Sequence, residues 1–202
     1  MVYFHGGGWF QSGSYESRGP EFLLDQDIVL VRVNYRLGPL GFLSAEDKIL
    51  PGNFGLKDQW LALKWVQKNI EHFGGDPNRV TLFGESSGGC SVHLHMFSPR
   101  SQGLFQRAIS SSGVGVSPVS VMRPGLARKR TGKLATILGC PSNDSREILD
   151  CLRAKQPYDI VAAHRKLYVS QILKLIHSSM VFFATLQIFA NISLVIRAIV
   201  SS

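Results

Sequence analysis

The 202-residue sequence predicts an α/β chain, a mostly parallel sheet with flanking helices. Two observations predict it. Short continuous apolar runs rich in β-branched residues recur along the chain, the texture of strands covered on both faces. Between them lie segments whose apolar residues step by three or four, the spacing of an amphipathic helix. Strands alternating with helices are joined by crossovers, which favours parallel pairing and a right-handed path.

The first strand is read at Met1-Val2-Tyr3-Phe4-His5, apolar from its first residue. Residues 28–33 (IVLVRV) give a second, and residues 80–83 and 108–110 give shorter ones. Leu56, Trp60, Leu63, Val66 and Ile70 form one helical stripe with Lys57, Lys64 and Lys68 facing water. A further helix is predicted from about Ser86 to about Met96, and others near 126–138 and 145–153. No internal repeat or low-complexity linker divides them.

Composition narrows the function. Apolar residues at 45% and aromatics at 10% supply enough hydrophobe for a core and exclude disorder for most of the chain. The net charge of +8 is regional: residues 1–98 sum to −2 and residues 99–202 to +10. Its densest stretch, from Arg123 to Lys133, holds five bases and no acid. Leu126, Leu134 and Leu138 recur through it at helical spacing, so it reads as a solvated helix face. No aromatics interleave there for base stacking, and no nucleic-acid partner is expected. Three cysteines are too few for a disulfide scaffold and too poorly spaced for a zinc cage.

Both ends read as cut, and no secretory signal opens the chain. Residues 175–196 contain no Asp, Glu, Lys or Arg, and the texture changes after Tyr168. The expected organisation is therefore a domain at 1–168 and a hydrophobic tail at 169–202. The tail is read either as a membrane helix through residues 172–200 or as translated intron, because Val169-Ser170 can be encoded by a splice-donor sequence. Ser178, Thr185, Gln187 and Asn191, with no Trp or Tyr belt, weigh against a membrane span.

Two glycine-rich turns carry the chemistry. Gly84-Glu85-Ser86-Ser87-Gly88 lies between a predicted strand and a predicted helix. A serine whose hydroxyl must stand clear needs a very tight strand-to-helix turn, with glycine two places to either side. The helix N-terminus directs free N–H groups at the same point, favouring developing negative charge. The second turn is His5-Gly6-Gly7-Gly8, where successive glycines let backbone amides approach a substrate oxygen. Together they form two parts of an acyl-transfer site, with Ser86 attacking and the amides of Gly7, Gly8 and Ser87 donating.

On these residues the chain resembles the type-B carboxylesterases, which include the cholinesterases and the insect esterases. The resemblance rests on HGGGW at 5–9, NYRLGPLGFL at 34–43, GNFGLKDQ at 52–59, FGGDP at 73–77 and GESSG at 84–88. It continues through Ser98-Pro99, Gly103-Leu104-Phe105 and Arg107-Ala108-Ile109-Ser110, and its texture is most like the insect members. It implies a partial α/β-hydrolase fold missing N-terminal strands and the C-terminal half. The implied activity is hydrolysis of a small-molecule carboxylic ester through a serine acyl-enzyme, without cofactor or metal. Ser86 would be the nucleophile, Glu85 a buried acid giving electrostatic support, and Trp9 a wall of the acyl pocket. A disulfide between Cys140 and Cys151 is implied, and with it folding in the secretory pathway. Asn143 and Asn191 each begin a glycosylation sequon.

The triad acid and histidine come after the nucleophile in this fold, in segments the chain lacks. His5, His72, His93, His95, His164 and His177 are each read as structural, and Cys90 as a small buried hydrophobe. An impaired catalyst is therefore expected. The alternatives are a non-catalytic binding or adhesion protein, and a membrane-anchored truncated isoform.

Overall fold

The computed structural model describes residues 1–13, 20–117 and 120–177, with the side chains of 168–177 excepted. Four strands, β1 (Val2–Phe4), β2 (Val31–Val33), β3 (Thr81–Glu85) and β4 (Arg107–Ser111), form one sheet in the order β2-β1-β3-β4. Every pair is parallel. The helices are α1 (Glu21–Leu24), α2 (Gly38–Phe42), α3 (Phe54–Asn69), α4 (Ser87–Phe97), α5 (Leu126–Ile137), α6 (Ser145–Arg153) and α7 (Pro157–His177). The expected α/β alternation and parallel sheet are present, and the predicted helices fall within a few residues of their positions.

Register positions the two glycine turns. Phe4 of β1 pairs with Gly84 of β3, so the neighbouring strands end level and both turns leave the same edge of the sheet. Ligands of open parallel sheets bind at this carboxyl edge.

The core lies on one face. Val2, Phe4, Val33 and Leu82 from the strands meet Leu63, Val66 and Ile70 around α3 and Val92 of α4. Phe4, Leu63, Leu82 and Val92 are completely covered. The expectation that the strands are buried on both faces does not hold. Burial alternates along β3, and four of the five β4 residues are exposed, with Ile109 at 52%. The opposite face carries Tyr3, Arg32, Phe83 and Ile109 around a groove of about 280 Å³. Helices α3 and α4 cover the first face.

The α3 stripe also differs from its prediction. Gly55, Gln59, Leu63 and Val66 are its buried residues, whereas Leu56 and Trp60 are half-exposed. A polar side chain, Gln59, occupies the centre with no exposure.

A second cluster packs Ala45, Leu50, Ala135, Cys140, Ile148 and Leu152. The Cys140–Cys151 disulfide closes beside it. One distant and one adjacent acid fasten its helices. The Glu46 carboxylate accepts N–H bonds from Gly125 (2.6 Å) and Ala127 (2.9 Å) at the start of α5. These bonds hold its carboxyl below the usual range. Asp144 caps α6 by accepting from the amides of Arg146 and Glu147. Arg128, Lys129, Arg130 and Lys133 are exposed, as the solvated-face reading of the basic run requires.

The chain divides after Val161 into two units. The α7 helix begins in the first and runs without a break through residues 168 and 169, where the sequence texture changes. Residues 178–202, including Asn191 and most of the hydrophobic tail, lie outside the described residues. No helix among the described residues is long and apolar enough to cross a membrane.

Candidate active site

Ser86 sits between β3 and α4 with φ 56° and ψ −123°, a combination that L-residues rarely adopt. Surrounding backbone enforces it. The Ser86 amide donates to Ser111 O at 2.9 Å, and its carbonyl accepts from Cys90 N at 2.9 Å. The flanking glycines are sterically required. A Cβ on Gly84 would stand 2.5 Å from the Gly88 carbonyl carbon, and one on Gly88 would stand 2.0 Å from Phe4 O. With hydrogens in those places, α4 can start directly against the end of β1.

The triple-glycine bend is pinned to this corner at both ends. A Cβ on Gly6 would lie 3.2 Å from Ser86 Cβ and 2.8 Å from Glu85 O. Three residues later the Trp9 amide donates to Ser87 Oγ at 3.3 Å. Gly7 and Gly8 therefore arch between two points on the serine turn. Their φ values of 105° and 66° lie in the left-handed region open to glycine. The two turns that carried the resemblance thus meet in space.

Side chains beneath the bend hold it. His5 is buried, donates from Nδ1 to Gly6 O at 2.8 Å, and stacks on Tyr35 with ring centroids 4.4 Å apart. The Tyr35 hydroxyl donates to His5 O at 2.6 Å, and burial pushes that phenol well above its usual range. Trp9, itself at φ 61°, accepts at its carbonyl from Gly38 N at 2.7 Å. Its indole lies 6.2 Å from the Phe42 ring and donates to Ser91 Oγ at 2.9 Å.

Glu85 departs from the expectation of a buried acid. It is half-buried, with one carboxylate oxygen against the Gly6 position and its side chain on the rim of the open groove. The reason is the uncovered sheet face, onto which Tyr3, Phe83 and Glu85 project. Cys90 is buried and unpaired, in the apolar role expected of it.

Three histidines of this unit are bonded to other partners. His5 is tied to Gly6, and His93 accepts from Gly115 N at 3.1 Å. His95 is enclosed with Gln59 and Ser101, and burial lowers its pKa to about 4. His72 is exposed in a single 3-10 turn, Ile70–Phe73. His164 lies on α7 in the other unit, and the side chain of His177 is outside the described residues. Among the described residues no group of three His, Cys, Asp or Glu could hold a metal ion. Asn143 is exposed in the loop between the bonded cysteines.

Sequence reasoning missed Tyr35, Gln59 and Ser91. Tyr35 and Gln59 stood inside quoted motifs, so the motif positions were visible without the contacts that explain them.

A parallel sheet whose strand–serine–helix corner faces a glycine bend on the next strand is the arrangement of an α/β-hydrolase. The chain belongs to the carboxylesterase family, which its residues 1–188 match. It is 51% identical over 160 residues to "Juvenile hormone esterase" of Tribolium castaneum, covering 76% of this chain and 26% of that protein. With "Esterase FE4" of Myzus persicae the identity is 53% over 156 residues, covering 77% and 27%. A "Bile salt-activated lipase" of Rattus norvegicus is 40% identical over 185 residues, covering 88% and 30%. Among solved structures, juvenile hormone esterase from Manduca sexta, with OTFP covalently attached, superposes with a TM-score of 0.78 at 39% identity. That match covers 82% of this chain and 32% of the other. The chain thus spans about a quarter to a third of the length of these relatives.

Proposed function

We propose that this chain carries the nucleophile and oxyanion-binding portion of a serine hydrolase acting on small carboxylic esters. The observation that carries the reading is the contact between the two bends: Gly6 against Ser86 and Trp9 bonded to Ser87. In this reading Ser86 Oγ attacks the ester carbonyl carbon, and the carbonyl π electrons move to its oxygen. The N–H groups of Gly7, Gly8 and Ser87 receive that oxyanion, with the N-terminus of α4 adding its partial positive charge. Collapse expels the alcohol, which leaves with the proton given up by Ser86 Oγ, and yields an acyl-serine for water to cleave. Glu85 contributes negative charge beside the nucleophile, and Trp9 borders the acyl side.

A base and its acidic partner are still needed. In the chain order of this fold they follow Ser86. With His5, His93 and His95 bound elsewhere, this chain alone is proposed to be an impaired catalyst. In a serine protease, loss of the histidine costs about a millionfold in turnover, and oxyanion donors with binding retain about a thousandfold over water. The expected behaviour is slow phosphonylation by a highly reactive fluorophosphonate, with fluoride leaving, and no steady ester turnover. The Cys140–Cys151 bond supports folding in an oxidising compartment, where the exposed Asn143 would be glycosylated.

Reaction with a fluorophosphonate, followed by peptide mapping, tests the proposal. Stoichiometric slow label on Ser86, absent in Ser86→Ala, is the expected result. No label after prolonged exposure, or the same labelling in Ser86→Ala, would refute it.

A further inference from the structure

Under the serine turn runs a chain of fully enclosed polar side chains that the acyl-transfer chemistry does not use. Ser91, on α4, is the hub. Its hydroxyl donates to Ser87 O at 2.9 Å, one helical turn back. It accepts from the Trp9 indole N–H at 2.9 Å and from the Gln59 amide at 3.2 Å. A serine hydroxyl has one proton and two lone pairs, so Ser91 is saturated. Because Gln59 turns its NH2 toward Ser91, its oxygen faces His95 and accepts from Nε2–H at 3.0 Å. The Nδ1 of His95 is then left to accept from the Ser101 hydroxyl at 2.9 Å. Each orientation is fixed by the one before it.

Gln59 and Ser91 have no exposure, Ser101 has 1%, and His95 has 5%. Burying four polar groups beneath a site is costly unless all are satisfied, and none among the described residues is left unpaired. An apolar core would do as well for stability alone. Moreover, the network ends on the one bend residue besides glycine that holds a positive φ, Trp9, whose backbone N–H and C=O are already tied to Ser87 and Gly38. The indole bond is the third restraint. It fixes Trp9 to the same helix that begins at Ser87, so bend and serine turn move as one body.

We propose that Gln59 and His95, acting through Ser91, are positioning residues that lock Trp9 and thereby hold the Gly7–Gly8 amides over Ser86. The inference rests on the acyl-transfer reading for its functional consequence, but the restraint itself is physical and independently measurable. A displacement of about 1 Å at an acyl-transfer site costs up to roughly a hundredfold in rate, so loss of one of three restraints should cost about tenfold.

The test uses the full chain with two readouts. The first is Trp9 emission in a Trp60→Phe/Trp65→Phe background, which leaves Trp9 as its single tryptophan. The second is the rate of fluorophosphonate labelling. Gln59→Met should shift Trp9 emission and slow labelling about tenfold. In a Trp9→Phe background the same substitution should slow labelling no further, because the bond it acts through is already gone. Ser91→Ala, which removes a single oxygen, should reproduce both effects and serves where Gln59→Met does not fold. Unchanged emission in folded variants would overturn the proposal, as would equal slowing with and without the Trp9 indole, the mark of a merely structural role. Absence of label on the parent chain would instead count against the acyl-transfer reading and leave Trp9 emission to decide the restraint.

Discussion

Replacing Gly88 with alanine adds one methyl group at the second residue of α4. In an ordinary helix interior this change stabilises by about 1 kcal/mol, since alanine has the better helix propensity. Here the added carbon would stand 2.0 Å from Phe4 O and 2.9 Å from His5 O, where real contacts begin at about 3.0 Å. The obstacle is strand backbone and cannot rotate away, so α4 must retreat from β1 by about 1 Å. Overpacking of this kind costs about 1–3 kcal/mol, and a backbone obstacle places it at the upper end. The net expectation is a loss of about 2 kcal/mol, with labelling of Ser86 slowed by up to roughly a hundredfold. Urea unfolding and phosphonate labelling read the two effects. Gly13→Ala is the control, since its nearest neighbour among the described residues would be Asn34 Oδ1 at an ordinary 3.7 Å. A Gly88→Ala protein with a raised urea midpoint and parental labelling would show that helix and strand do not abut as described.

Three other outcomes follow from the packing. The folded pKa of His95, about 4, lies below its ordinary 6.5, so the unfolded chain binds the extra proton between those values. Stability should therefore fall by about 3 kcal/mol as pH drops from 6.5 to 4, and a folded His95→Asn variant should lose most of that slope in urea titrations. Glu46 also has a lowered pKa, because Gly125, Ala127 and Arg128 donate to its carboxylate. Its contribution is present above the ordinary value of 4.5 and is lost as pH falls through the lower folded value. Glu46→Gln should flatten the acid limb of the stability curve, and an unaltered limb would contradict the cap. Replacing Cys140 and Cys151 together by serine opens a loop of about 12 residues and should lower stability by about 3 kcal/mol, read against the oxidised parent. Equal urea midpoints for the two proteins would contradict it.

What the sequence made legible was whatever is decided locally. The Gly84–Ser86–Gly88 spacing announces a tight corner because a side chain at either glycine collides within four residues or with the adjacent strand. The helix over Phe54–Asn69 was visible because lysines and apolar residues alternate at helical spacing. Its inner face was misread at the centre, since a hydrophobic stripe passes over Gln59. Only the partners on α4, 32 and 36 residues further on, make that amide a core residue. Long-range caps were equally hidden: Glu46 serves amides 79 and 81 residues away. The reading of strands as buried on both faces failed because apolar content tells how much surface a strand can hide. Which face receives a helix is decided elsewhere in the chain, and β4 shows it with Ile109 half in water.

The direct test of the central claim is a crystal structure of the phosphonylated protein. The account predicts phosphorus bonded to Ser86 Oγ, with its phosphoryl oxygen about 2.7–3.1 Å from the amide nitrogens of Gly7, Gly8 and Ser87. A phosphoryl oxygen turned to solvent, with the residue 6–9 bend displaced from the adduct, would contradict it.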